Sequence, residues 1–125
     1  MGRQAVVVSL RGDLDLEVRD ELQWALAGLI EAPIAVVDLS AVTFADSTLI
    51  NAIRETTRMR AARLGIATRL RLVGASPIVE RMFTMTRLAS IVDFFGSIQE
   101  AEIEWSPANF PHISLADIAN ESVNG

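Results

Sequence analysis

Apolar residues in this chain gather in short blocks whose spacing alternates between the period of a strand and that of a helix. Ala5 to Leu10 is apolar and β-branched except at Ser9, which predicts a buried strand with Arg11-Gly12-Asp13 as the turn after it. From Leu16 to Ile30 the period changes. Val18, Leu22, Ala25, Leu26 and Leu29 share one stripe and Glu17, Asp20 and Glu21 lie opposite, as in an amphipathic helix. Pro33 then opens a second strand, and Ile34 to Leu39 is apolar almost without a break, as expected of a strand covered on both faces. A central helix is predicted from Thr48 to Leu64, ended by Gly65, with Ile50, Ile53, Thr57, Ala61 and Leu64 facing inward. A second, weaker stripe of Leu49, Ala52, Thr56 and Met59 runs beside it from Thr48. Ala67 to Gly74 reads as a third strand and Ser76 caps a helix from Pro77 to about Arg87. Ile91 to Phe95 reads as a fourth strand, and Ser97 to Trp105 as a short last helix.

Strands alternating with helices predict an α/β domain built on a small, mostly parallel or mixed sheet of about four strands with helices packed on it. One domain, residues 1–105, accounts for the periodic part of the chain. Ser106 to Gly125 carries two prolines and scattered polar residues and reads as a flexible C-terminal tail. No internal repeat interrupts this order.

Composition narrows the chemistry. The chain has no cysteine, which removes disulfides, thiol nucleophiles and cysteine-held metals. All eleven basic residues are arginine, so chemistry that needs a lysine, such as a Walker-type phosphate loop or a Schiff base, is excluded. Residues 1–99 balance eleven Arg against six Asp and five Glu, and the net charge of −5 resides in residues 100–125. Nucleic-acid binding is not expected of that balance. No apolar run approaches the ~20 residues of a membrane span, and the start lacks a secretory signal, so a cytoplasmic protein without membrane insertion is expected.

Asp46, Ser47 and Thr48 stand where the second strand gives way to the central helix. Small polar residues there cap free amides, and Ser47 reads as the cap. Thr48 falls in the first turn, where unpaired N–H groups and the positive end of the helix dipole favour an added phosphate, so the step is also a candidate phosphorylation switch. Asp13, Asp15, Asp38 and Asp46 could be imagined as a metal or acid–base cluster, but no histidine or spaced loop motif completes one, and neither a cofactor nor a metal is expected. Trp24 falls on the polar side of the first helix, a position for a partner anchor or for a ring that covers a neighbouring loop. Arg54, Arg58, Arg60 and Arg63 give the central helix a basic outer surface. His112 stands alone in the tail.

The run from Ile34 through Asp38-Leu39-Ser40 to Phe44-Ala45-Asp46-Ser47-Thr48 resembles the STAS domain of bacterial anti-sigma-factor antagonists. Leu10-Arg-Gly-Asp-Leu-Asp15 is similar to that family's early turn. Leu70 to Gly74 with Ser76-Pro-Ile-Val-Glu-Arg-Met-Phe83 is similar to its later strand and helix, and Leu88 to Phe95 to its final strand. The four matches come in the family's order from about Val6 to Glu102. The family usually begins with an extra strand, for which few residues remain here.

The resemblance implies a non-enzymatic module, an anti-sigma-factor antagonist that binds an anti-sigma factor of the serine/threonine kinase type. It implies control by phosphate on Thr48, with Ser47 as the alternative acceptor and Asp46 as support, and a separate phosphatase that reverses it. Leu49 stands where the family commonly has Gly. With Ala52, Thr56 and Met59 it is expected to form a partner-facing stripe, and Trp24 a further contact. The alternative is a STAS scaffold or ligand-sensing module in a larger signalling assembly, without phosphorylation.

Overall fold

The computed structural model describes residues 5–65 and 68–103. Trp105, His112 and the expected tail from Ser106 lie outside the described residues, as does the start of the third predicted strand at Ala67.

Strand β1 spans Ala5–Leu14 and β2 spans Ile34–Ala45, both longer than their apolar blocks. The two pair in parallel, and the pairing shifts register between Ser9 and Arg11 and again between Gly12 and Asp13. Arg11-Gly12-Asp13 is therefore not a turn. Gly12 takes a φ of +79°, which an L side chain rarely adopts, and the strand kinks without ending. Thr43, the extra residue on the β2 side, donates its hydroxyl to Asp13 Oδ1 at 2.6 Å. A bulged strand of polar residues is supported by its neighbour, which a local reading of sequence does not include.

After β1, Asp15 accepts the amide of Glu17 at 3.0 Å and starts one 3-10 turn, Leu16–Val18, that leads into α1, Arg19–Ala27. Helix α2 spans Ser47–Leu64, β3 Leu70–Val73, α3 Pro77–Met85, β4 Val92–Phe95 and α4 Ile98–Glu102. Ser76 Oγ accepts the Val79 amide at 3.2 Å with Pro77 in the first turn of α3, and Ser97 caps α4 in the same way.

The described sheet has the order β1-β2-β3-β4, with every adjacent pair parallel. Right-handed crossovers between sequential neighbours place α1, α2 and α3 on one face, with α2 in the middle. The main core confirms the layer: Leu22, Leu26 and Leu29 of the α1 segment, Leu49, Ile50, Ala52 and Ile53 of α2, and Val79 and Phe83 of α3 enclose Ala35, Val37, Leu39, Leu70, Leu72 and Val92 of the sheet. On the other face, Ile34, Val36 and Val73 pack with Ala101 of the short α4. Residues 34–39 of β2 are thus covered on both faces, as their continuous apolar run predicts.

The turn after β3 is tight. Gly74 has a φ of +72°, and a Cβ built on it would lie 2.7 Å from Ser40 Cβ, 3.0 Å from Ser40 Cα and 3.1 Å from Ser40 N. Only glycine lets β3 leave the sheet this close to β2.

Candidate functional site

The Asp46-Ser47-Thr48 step lies at the carboxyl edge of the parallel sheet, where β2 ends at Ala45 beside Leu14, the end of β1. Parallel sheets present their functional residues at this edge, because each helix begins there with its unpaired amides. Asp46 is the N-cap of α2: its Oδ1 accepts the Thr48 amide at 2.8 Å. Ser47, expected to be the cap, is instead the first helical residue and is exposed. Asp46 wins because its carboxylate reaches the amide two residues on from an extended backbone, and because a negative charge suits the dipole.

Thr48 is 8% exposed. Its hydroxyl has no bonding partner among the described residues and is not one of the enclosed orphan atoms, so part of that area belongs to the oxygen. Around the step, Leu16 just past β1 and Phe44 near the end of β2 are large apolar side chains left exposed.

The expected partner-facing stripe is corrected. Leu49, Ala52 and Thr56 are buried, and Met59 is half-buried. Helix α2 is covered from below by the sheet and along one flank by α1 and the loop after it, so its second apolar stripe becomes core; Thr56 turns its hydroxyl back to the Ala52 carbonyl at 2.8 Å. Three of those four residues therefore cannot meet a partner in this fold. Trp24 is 83% exposed on α1, opposite the buried Leu22 and Leu26.

Arg60 also departs from expectation. Arg54, Arg58 and Arg63 are exposed, but Arg60 is fully buried and donates from one Nη to the Leu29 carbonyl at 2.5 Å and the Ala32 carbonyl at 2.6 Å. Its Nε and other Nη are enclosed with no partner, and burial, then the Arg71 guanidinium, lower its pKa. Arg60 ties α2 to the loop between α1 and β2. Nothing in its sequence spacing distinguishes it from the surface arginines beside it.

The four aspartates are not a cluster. Asp13 accepts from Thr43, Asp15 caps the 3-10 turn, Asp38 Oδ1 accepts the Ser40 amide at 3.0 Å and its hydroxyl at 2.7 Å, and Asp46 caps α2. Among the described residues no group of three or more histidines or carboxylates is placed to hold a metal, and no helix is long and apolar enough to cross a membrane.

The exposed Ser47 and the largely buried Thr48 thus follow the Asp46 cap at the carboxyl edge of a small parallel sheet. The model of the STAS domain matches residues 2–101. The chain belongs to the STAS domain family. Solved STAS structures agree with the fold. An anti-sigma factor antagonist from Mycobacterium paratuberculosis is 25% identical, with a TM-score of 0.66 over 81% of this chain and 85% of that one. The phosphorylated form of the Bacillus cell fate determinant SpoIIAA is 21% identical, with a TM-score of 0.60 over 80% and 89%. The STAS domain of a SulP transporter from Vibrio cholerae is 19% identical, with a TM-score of 0.60 over 81% and 80%. Curated proteins give no match. STAS domains of this kind are binding modules and not enzymes.

Proposed function

We propose that this STAS domain is an anti-sigma-factor antagonist that binds a serine/threonine-kinase-type anti-sigma factor, under control of phosphate added at the start of α2 and removed by a separate phosphatase. The observation that carries the reading is the hydroxyl step itself: Ser47 and Thr48 sit in the first turn of α2, beside the exposed Leu16 and Phe44. Unphosphorylated, that edge offers apolar anchors to a partner. A phosphate would add about −1.5 to −2 charges next to Asp46, and repulsion with desolvation would weaken the complex.

Thr48 matches the family's acceptor and is the proposed site; Ser47 is the alternative because it is the more exposed hydroxyl. Phosphopeptide mapping after reaction with the partner kinase and ATP tests the assignment. Label on Thr48, lost in Thr48→Ala, is expected, with Thr48→Glu impairing complex formation. Label on Ser47 moves the site by one residue. Label on neither removes phosphorylation from the reading.

The second reading is a STAS scaffold or sensing module in a larger assembly. It is favoured by Leu49, a buried side chain where the family commonly has Gly, and by the likeness to transporter STAS domains. Trp24→Ala in the same binding assay decides whether the exposed ring of α1 joins the partner surface.

A further inference from the structure

Ser47, Ile50, Arg54, Thr57 and Ala61 recur at the spacing of one flank of α2. The opposite flank is turned to the α1 side, because Arg63 pairs with Glu31 of the loop that follows α1. The first flank therefore faces α3. On α3, Glu80 lines an open cleft with Phe94, Phe95 and Gly96 on the β4 side. Ile78 and Met85 fall on the other flank, toward α2, with Arg81 and Met82 between them. That flank is not closed: Ile78 is 75% and Met85 74% exposed, Met82 is half-buried, and Thr57 and Ala61 across from it are half-buried. Two residues seven apart on a helix are about 10 Å apart, the spacing of successive anchors on a second helix laid alongside.

Charge indicates what lies there. Arg19, Arg58, Arg63 and Arg69 each meet a carboxylate. Arg54 bonds only the neutral amide of Asn51, and the side chains of Arg81 and of Arg87, just past α3, have no partner among the described residues. The rims of the α2–α3 groove thus carry uncompensated guanidinium groups around a floor of Thr57, Ala61 and Met82, in which the Thr57 hydroxyl is the one enclosed polar atom without a partner among the described residues.

We propose that the groove between α2 and α3 accepts an acidic amphipathic helix of a protein partner, with apolar anchors on Ile78, Met82 and Met85 and carboxylates on Arg54 and Arg81. This does not depend on phosphorylation at the helix start. The probe is a labelled synthetic helix with leucines spaced three and four apart and glutamates elsewhere, titrated against the full chain, with a lysine-for-glutamate version as control. The acidic probe is expected to bind, shifting amide resonances of residues 54–61 and 78–85. Met85→Ser should weaken it roughly tenfold or more, the loss of one well-packed anchor. Because Met85 is exposed, that variant keeps its circular dichroism and melting temperature. Arg81→Glu should reverse the preference toward the lysine probe. Equal binding of the two probes, or shifts confined to other residues, overturns the proposal. Concentration-dependent dimerisation abolished by Met85→Ser would assign the groove to a second copy and also overturn it. So would a large gain in probe affinity on replacing Asp117 and Glu121 by lysine, which would assign the groove to the chain's own C-terminal segment.

Discussion

Gly74→Ala isolates one close approach on which the position of α3 depends. Two costs combine. At a φ of +72° an L residue is strained by about 1–2 kcal/mol. The new methyl would also sit 2.7 Å from Ser40 Cβ with the Ser40 backbone only 3.0 Å away, so β3 and β2 must part. Overpacking of this kind costs typically about 1–3 kcal/mol. The sum is about 2–5 kcal/mol, and for a domain of this size each kcal/mol lowers the melting temperature by roughly 4–8 °C. Thermal unfolding followed by circular dichroism should therefore show a fall of about 10 °C or more, with a matching shift of the urea midpoint at unchanged slope. Ser40→Gly tests the mechanism. It removes the Cβ that the methyl meets, at its own cost of the 2.7 Å bond from Ser40 to Asp38. In a double-mutant cycle the two changes should couple favourably by about 0.5–3 kcal/mol, while the strain at φ persists. A Gly74→Ala protein that melts within 2 °C of wild type, taking ~1 kcal/mol as the least strain for this φ, refutes the argument; a zero coupling energy refutes its steric half.

Three further outcomes follow from the same geometry. Asp46→Ala should cost about 1 kcal/mol through the lost cap, whereas Ser47→Ala should stay within ~0.5 kcal/mol; urea unfolding of both variants checks the order, and the reverse order would return the cap to Ser47. Arg60→Ala should destabilise by about 3–5 kcal/mol, since it removes the bonds to the Leu29 and Ala32 carbonyls and leaves a void. Arg60→Met should cost less, because it refills the volume and removes a buried charge with two unpartnered N–H groups; equal losses for the two variants would count against this account. Arg87 has a φ of +67° just past the end of α3, so Arg87→Gly should raise stability by about 1 kcal/mol, read as a higher urea midpoint.

The order of elements was legible in the sequence because periodicity is a local property. Leu22, Leu26 and Leu29 define a helical stripe, and Ile34 to Leu39 a doubly buried strand, whatever surrounds them. The polar step at Asp46-Ser47-Thr48 was equally legible, since helix starts have a short chemical signature. Four matches to the STAS pattern in the right order added the family.

What depended on neighbours was not legible. Arg11-Gly12-Asp13 has the composition of a turn, and only the pairing of β1 with β2 keeps it in a strand. Asp46 and Ser47 are both good caps, and the backbone geometry of the arriving strand chose between them. Leu49, Ala52 and Thr56 form a second stripe that would face solvent on an outermost helix. They are core because α1 and the loop after it pack against that side of α2. Arg60 is spaced like its surface neighbours, and its burial follows from the loop between α1 and β2 packing against that turn of α2. The sequence determined which faces are apolar, through the periods of helix and strand. The tertiary structure alone decided which of those faces are covered, because coverage depends on elements distant in the chain.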